Sequence, residues 1–492
     1  MPVSAATTLS KPTPAESGTL ESLMNPQAYT GLYGFHKYWG KKPVEPLQFL
    51  ITALTEPGDL VVDPFLGSGA IARETARLNR LFIGGDVNPA AIRLTRFFLQ
   101  PCSAKTYGAA LKRLERDLRP QIDSSYKTCN NEVASHLLWR NDELVSVWER
   151  EAGKRKRIER EPTSEDYELA QSFHAYSSQQ LRPLRMFHNG RINTVSDLSW
   201  QTLFTGRALT NIDLLLTEIR KCNGPEKRAL ELTLTSAVGQ MSKMVFAITS
   251  RGKTTGTSTG RVEVGSWVIG YWRPETRFEI NVWNCFESKA KKLHKVLSDE
   301  DSGIQIANSV EQVLDGDADV YVDQKNALQM IEELPPNSIK LLITDPPHGD
   351  RIPYLELSEM WNAVLDEEST FEDEVVVSNA KGRNKTTEQY RSSLEEFFAL
   401  AEERIQPEGF LVLFFNSRRD DDWSAIRGIT DSTGMNLVGC FPMEYSARSV
   451  VQDNRKGGMK NDYILIFSKG EASRKALDVL QSVPGWLAGE PE

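Results

Sequence analysis

The 492-residue chain carries five cysteines, Cys102, Cys129, Cys222, Cys285 and Cys440, and no two of them form a CxxC pair. That scatter argues against a disulfide framework or a zinc ribbon and for reduced, mostly buried thiols. The six histidines show no HExxH or other ligand spacing, so no structural metal is expected. Long apolar runs are missing as well. "GFLVLFF", from Gly409, falls far short of the roughly 20 residues that cross a bilayer. No secretory signal opens the chain, and residues 1–30 are polar and rich in Pro, Ser and Thr, as in a flexible tail. These absences predict a cytoplasmic protein with no membrane partner. A basic surplus is also lacking. At a formal net charge of −9, a polyanion would have to meet a local basic patch, or a partner subunit would have to supply the charge. The candidate patches are "REAGKRKRIER" (Arg150 to Arg160), "NSRR" ending at Arg419 and "NRKGGMK" ending at Lys460, each of which reads equally as a solvated face.

No repeat of fixed period organises the chain. What is present from about residue 45 is an alternation: "PLQFLITALT" reads as a helix, "DLVVDPF" as a buried strand, "GAIARETARLN" as a helix, "RLFIGGDVN" as a strand and "PAAIRLTRFFLQ" as a helix. Such alternation is the mark of a doubly wound parallel sheet. It stops for nearly 200 residues, where segments such as "AALKRLERDLRP" and "NIDLLLTEIRKC" read as charged helices, and returns with "ADVYVDQKNALQM", "IKLLITDPP", "GFLVLFFN" and "NDYILIFSK". The expected organisation is an α/β domain in two parts, residues 31–104 and 301–470, split by a mainly helical insertion over 105–300. A C-terminal segment, 471–492, follows. The acidic "DEESTFEDEVVV" after Leu365 reads as a mobile loop rather than a site.

Two strand ends carry the chemistry. In "VVDPFLGSGA" a strand ends at Asp63, and Gly67 and Gly69 follow before a helix; glycines there let backbone approach a ligand at a helix N-terminus. A second strand ends in Asp86, 23 residues after Asp63, where a cofactor ribose would be gripped. The loop lacks the third glycine of G-x-G-x-x-G, which argues against a dinucleotide. In "LITDPPHGDRIPYLELSEMW" a third strand ends at Asp345, followed by Pro346, Pro347 and His348. A carboxylate and a proline-stiffened carbonyl accept the two N–H groups of a delocalised amine, and the His348 ring offers a stacking face. The stiffness keeps that cradle preorganised. A base held this way must be flipped out of any duplex. The plain alternative is a strand end with an Asp cap and a Pro-Pro turn.

"DPFLGSG" and "DPPHG" resemble motifs I and IV of the amino-group DNA methyltransferases, and "HKYWGKKP" (His36 to Pro43) resembles the segment that precedes motif I. Together with "NVWNCFESKAKK", "RIQPEGFLVLFFNSRRDDDW" and "LFTGRALTNIDLLLTEI", the likeness extends to a bacterial subgroup of large adenine-specific DNA methylases and covers most of residues 30–470. The resemblance implies a Rossmann-like domain that uses S-adenosyl-L-methionine. Asp63, Phe65, Gly67 and Gly69 would line its methionine part, with His36 and Lys37 packed against that end. Asp86 would hold the ribose with Asn88 beside it, and Asn326 would touch the adenine. Asp345, Pro346, Pro347 and His348 would hold the target amine, adenine N6 rather than cytosine N4, on DNA in a restriction-modification or phage-defence setting. Residues 105–300 would read the target. His348 departs from the family's usual Tyr, Phe or Trp, and the cysteine pairs that many members carry in the insertion are absent. Two alternatives are an RNA guanine-N2 methyltransferase and a cofactor-binding subunit that works only with a partner of a modification complex.

Two further stretches have two readings each. "SWVIGYWRPETRFEINVWNCF" interleaves Trp267, Tyr271, Trp272, Phe278, Trp283 and Phe286 with Arg273 and Arg277, as in base-stacking platforms or as in a packed core. "SRGKTTGTSTGR" (Ser250 to Arg261) hints at a P-loop, but its first glycine would fall at Ala247, so a polar loop is expected.

Overall fold

The computed structural model describes residues 29–150, 157–248, 262–417, 419–444 and 461–488. Its strands in chain order are β1 (Leu60–Asp63), β2 (Leu81–Gly85), β3 (Ala134–Arg140), β4 (Glu143–Arg150), β5 (Arg157–Arg160), β6 (Ala247–Ile248), β7 (Glu263–Val264), β8 (Thr276–Ile280), β9 (Val320–Asp323), β10 (Ile339–Thr344), β11 (Ile405–Phe415), β12 (Asn436–Glu444) and β13 (Asn461–Ser468). Seven of them form the central sheet in the order β12-β13-β11-β10-β1-β2-β9. The five from β11 to β9 run parallel, and β13 pairs antiparallel with both β11 and β12. This is a mixed α/β fold with a mainly parallel sheet.

Both faces of the sheet are covered, which is why its strands are apolar throughout rather than alternating. Val61, Phe82, Leu341, Ile343, Val412 and Phe414 face one core, and Val62, Ile83, Leu342, Leu411 and Leu413 face the other. Successive residues point to opposite sides, as a strand requires. The first core runs without a break from the sheet into the insertion, through Leu209, Leu230, Leu234, Phe286 and Leu293. The second is closed by the helices Ala327–Glu332 and Thr387–Arg404, through Met330, Phe397 and Phe398.

The insertion contains long helices, including Ala104–Ser124, Gly206–Arg220, Pro225–Val238 and Val282–Val296. It also contains a four-stranded antiparallel sheet, β5-β4-β3-β8, which the sequence reading did not anticipate. The turn between β3 and β4 carries Asn141 at φ 54°, a conformation suited to Asn in tight hairpins. Arg157–Arg160, the end of the basic run, form the edge strand β5 of this sheet. Residues 151–156 lie outside the described part, but Arg157 sits over the Trp148 ring and Arg160 pairs with Glu149 and Asp166. These two arginines are spent on structure. Of the other basic candidates, Arg418 and residues 445–460 lie outside the described residues, as do residues 1–28 and the P-loop lookalike within 249–261. Among the described residues no helix is long and apolar enough to cross a membrane.

The chain runs outward from β1 to β2 to β9 and then returns to place β10 on the other side of β1. The strand order therefore reverses between β1 and β10, and ligands of such sheets sit outside the carboxyl ends at that point.

Candidate active site

Asp63 ends β1 and Asp345 follows β10 directly, so the two strand-end acids flank the point of reversal. A hydrogen bond of 2.6 Å from Thr344 Oγ1 to Asp63 Oδ1 ties the two strand ends together. Above them lies a cleft of about 810 Å³, lined among others by Tyr38, Lys42, Phe65, Gly67, Asp86, Asp345, Pro347, Tyr354 and Glu374.

On the β1 side, Asp63 is buried. Its Oδ1 accepts from Thr344 and from the Phe65 amide at 3.1 Å, whereas its buried Oδ2 has no hydrogen-bond partner among the described residues. Burial pushes its carboxyl up to about 8. An orphaned carboxylate oxygen at the wall of a cleft is matched to a ligand that brings its own positive charge or donor. Gly67, at φ 54°, donates its N–H to Asp86 Oδ2 at 2.8 Å, and Asn88 donates its N–H to Asp86 Oδ1 at 2.8 Å. Burial raises Asp86 to about 6 against those two bonds. Gly69 does not line the cleft. A Cβ there would lie 2.2 Å from Thr95 Oγ1, so this glycine lets the helix Ala70–Arg77 pack closely on the helix Pro89–Leu99. Asn88 caps the latter helix and donates to Tyr38 Oη and Ser358 Oγ at 3.1 and 2.9 Å.

On the β10 side, both oxygens of Asp345 are held by side chains. Lys42 Nζ lies 2.9 Å from Oδ2 and His348 Nε2 lies 3.0 Å from Oδ1. Lys42 is buried and also pairs with Asp462 at 2.7 Å. Burial alone would pull the ammonium down, but Asp345 and Asp462 outweigh it and hold Lys42 above its ordinary value. Asp462 is buried too, and the charge of Lys42, with that of Arg351, holds it below the usual carboxylate range despite that burial. Pro346 is buried, whereas Pro347 walls the cleft and its carbonyl accepts from the Tyr390 hydroxyl at 2.7 Å.

Several sequence-based expectations land elsewhere. His36 is buried away from the cleft. Its Nδ1 meets Lys37 O, its Nε2 meets Thr235 Oγ1 at 2.9 Å, and its ring packs on Trp361, with burial pulling it down to about 3. Lys37 sits over the Trp267 ring, 4.8 Å from its centroid, and burial lowers it to about 8. The same segment instead presents Tyr38, Trp39, Gly40, Lys41 and Lys42 to the cleft. Asn326 is used by its own helix, whose capping box it forms with Gln329, and it is Ala327 that reaches the cleft. His348 is buried against Phe415 and does not line the cleft, so its ring face is not offered to a base. Tyr38, Trp39, Phe65 and Tyr354 are the aromatic residues in the cleft lining, and the rings of Tyr38 and Tyr354 stack with centroids 6.3 Å apart.

The acidic stretch after Leu365 is not a mobile loop. Asp373, Glu374 and Val375 line the cleft, and Glu374 is buried against Arg383 while accepting the Leu355 N–H at 3.1 Å. Burial, followed by the charge of Glu356, pushes Glu374 up to about 8. Five acids and two lysines therefore line the cleft, Asp63, Asp86, Asp345, Asp373 and Glu374 against Lys41 and Lys42; burial keeps Asp63 and Glu374 largely protonated at neutral pH, and a cation bound beside them would favour their charged forms. The aromatic stretch from Trp267 is core for the most part. Tyr271, Phe278, Trp283 and Phe286 are buried, Tyr271 donates to Glu356 O, and only Trp272, at 54% exposure, is open.

A family model described as "DNA methylase" matches residues 15–97, which include the segment from His36 and the strands β1 and β2. The Type II methyltransferase M.XycI of Xanthomonas campestris pv. cyanopsidis is 41% identical over 58 residues, 12% of this chain and 19% of that protein. The Type II methyltransferase M2.DpnII of Streptococcus pneumoniae is 38% identical over 64 residues, 12% of this chain and 24% of that protein. The match thus spans about a fifth to a quarter of the length of these relatives. A solved PvuII DNA methyltransferase (cytosine-N4-specific) is similar at 15% identity over 30% of this chain and 48% of that one, with a TM-score of 0.21. The family model and the curated relatives support the amino-group DNA methyltransferase family.

Proposed function

We propose that this chain, an amino-group DNA methyltransferase by its matched segment, methylates an exocyclic amine of a flipped DNA base, adenine N6 in preference to cytosine N4, in a restriction-modification setting. One observation carries the reading: the orphaned Asp63 and the Pro-Pro-backed Asp345 face one cleft from opposite sides of the β1/β10 reversal. S-adenosyl-L-methionine fits the first half, because its ammonium and sulfonium bring the positive charge that Asp63 and the acidic lining call for. When bound it supplies an electrophilic methyl group.

The chain's own residues then position and deprotonate. Asp63 and the Gly67 turn would hold the methionine end, and Asp86 would take the ribose hydroxyls. Each Asp345 oxygen has a second acceptor site beyond its Lys42 or His348 contact, so it can still take an amine N–H. The Pro347 carbonyl is engaged by Tyr390, which leaves the Pro346 carbonyl for the other N–H. With both N–H bonds accepted, the nitrogen lone pair is freed toward the methyl group. The proton that the nitrogen loses as it gains the methyl passes to Asp345 and then to solvent. Positioning supplies most of the rate. Tyr38 and Tyr354 are the rings against which a base would lie.

Base-resolved modification mapping of DNA from cells expressing the intact chain or Asp345→Ala tests this. A methylated amine at a defined sequence, lost in the variant, is the expected result and names the base. DNA unmodified in both would overturn it.

A further inference from the structure

Five side chains, of which Lys42 and Asp345 line the cleft, form a closed ring of polar contacts. Lys42 donates to Asp345 Oδ2 and to Asp462 Oδ2, at 2.9 and 2.7 Å. Arg351 Nη1 donates to Asp462 Oδ1 at 3.2 Å and to His348 Nδ1 at 3.0 Å. His348 Nε2 closes the ring on Asp345 Oδ1 at 3.0 Å and also meets Phe414 O at 3.0 Å. The partners fix the imidazole. Nε2 faces two acceptors, so it carries the hydrogen, and Nδ1 faces a guanidinium, which can only donate, so it accepts.

We propose that His348 is a positioning residue: it passes a hydrogen bond from Arg351 to Asp345, fixing the carboxylate for the amine, rather than stacking on the base. The proposal rests on the function proposed above and departs from the stacking role that position 348 suggests in the sequence. Its logic is connectivity. The ring closes only if residue 348 accepts on one side and donates on the other. A phenylalanine has a better stacking face but neither group, whereas a glutamine amide has both groups and no ring.

Two measurements decide it. In protein with 15N-labelled histidine, long-range 1H–15N correlations, with the His348 signals assigned by their absence in His348→Gln, should show the Nε2–H tautomer. An Nδ1–H tautomer or an imidazolium at neutral pH overturns the proposal whether or not the protein is active. In steady-state methyl transfer to DNA, His348→Phe should lower kcat by about tenfold or more with KM for DNA little changed, and His348→Gln by no more than about threefold. The reverse ranking, with phenylalanine the better substitute, makes the ring a stacking surface and overturns the proposal. Binding of S-adenosylhomocysteine to each variant, followed by calorimetry, confirms that the fold is intact. Wild-type protein that transfers no methyl group to any DNA would instead overturn the proposed function, and the tautomer would still judge the ring of contacts.

Discussion

Asp63 and Asp345 are the same residue type at equivalent places, the carboxyl ends of adjacent parallel strands, yet they are built oppositely. Asp63 is held by a hydroxyl and an amide, keeps one oxygen without a partner among the described residues, and is pushed toward neutrality by burial. Asp345 is clamped between a buried lysine and an imidazole. The difference teaches that the first half leaves a charge to be supplied from outside, while the second brings its own cation and must be correct before anything binds.

The largest effect should follow from breaking the second half at its acid. Asp345→Ala is expected to lower kcat by roughly 10²- to 10³-fold or more while binding of S-adenosylhomocysteine changes little, as titration calorimetry would show. Equal loss of both would mean that the halves are not separable. Next comes the shared cation. Lys42→Met leaves two carboxylates facing each other in a buried site, a change that costs about 3–5 kcal/mol of stability in such settings, read by urea denaturation. The deficit should shrink as pH falls, because protonating either acid removes the repulsion. A deficit independent of pH would show that lost packing, not charge, was the cause.

The first half yields a smaller, proton-linked effect. With its carboxyl near 8 in the fold and near 3.8 when unfolded, Asp63 binds more protons folded than unfolded across that interval. Its contribution to stability therefore falls as pH rises from about 4 to 8. A cation bound against it draws its pKa down. Cofactor binding at pH 7 should release a fraction of a proton, and affinity should strengthen as pH rises toward 8. Calorimetry in buffers of different ionisation enthalpy measures the release, and Asp63→Asn should reduce it, leaving only what Glu374 and Asp86 contribute, with a roughly tenfold loss of affinity. Proton uptake on binding would contradict the assignment.

The strand–helix alternation was legible because both faces of the sheet are covered, so β1, β2, β10 and β11 read as short apolar runs. Asp63, Asp86 and Asp345 were legible for a related reason: an acid that ends such a run has to sit at the sheet's carboxyl edge. The orientation of a side chain next to a motif was not legible. His36 turns from the cleft because Thr235 and Trp361 receive it, residues that only the fold brings near, and His348 turns inward because Arg351 and Phe414 do. Lys42 was within the quoted motif, but its worth depends on Asp462, 420 positions away. The acidic stretch looked like a mobile loop because nothing local reveals that Arg383 contacts Glu374 at the cleft wall. The four-stranded sheet of the insertion was hidden by composition, since "ASHLLWR" and "ELVSVWER" mix charge into strands that a neighbouring arginine and tryptophan complete.

The smallest expected effect sharpens the comparison at the proline pair. Tyr390 donates to the Pro347 carbonyl at 2.7 Å from a helix on the far core, so it holds the second half without touching its charges. Removing one such bond costs about 1 kcal/mol, and Tyr390→Phe should lower the melting temperature by only a few degrees. Its effect on kcat separates the two carbonyls. If the Pro346 carbonyl takes the amine, loss of the tyrosine leaves the Pro347 carbonyl with the Gly349 N–H at 3.2 Å, the cradle only loosens and kcat falls a few fold. If the Pro347 carbonyl takes it, the tyrosine has been competing with substrate, and kcat should rise. Steady-state rates of the variant on DNA, set beside its melting curve, distinguish the two.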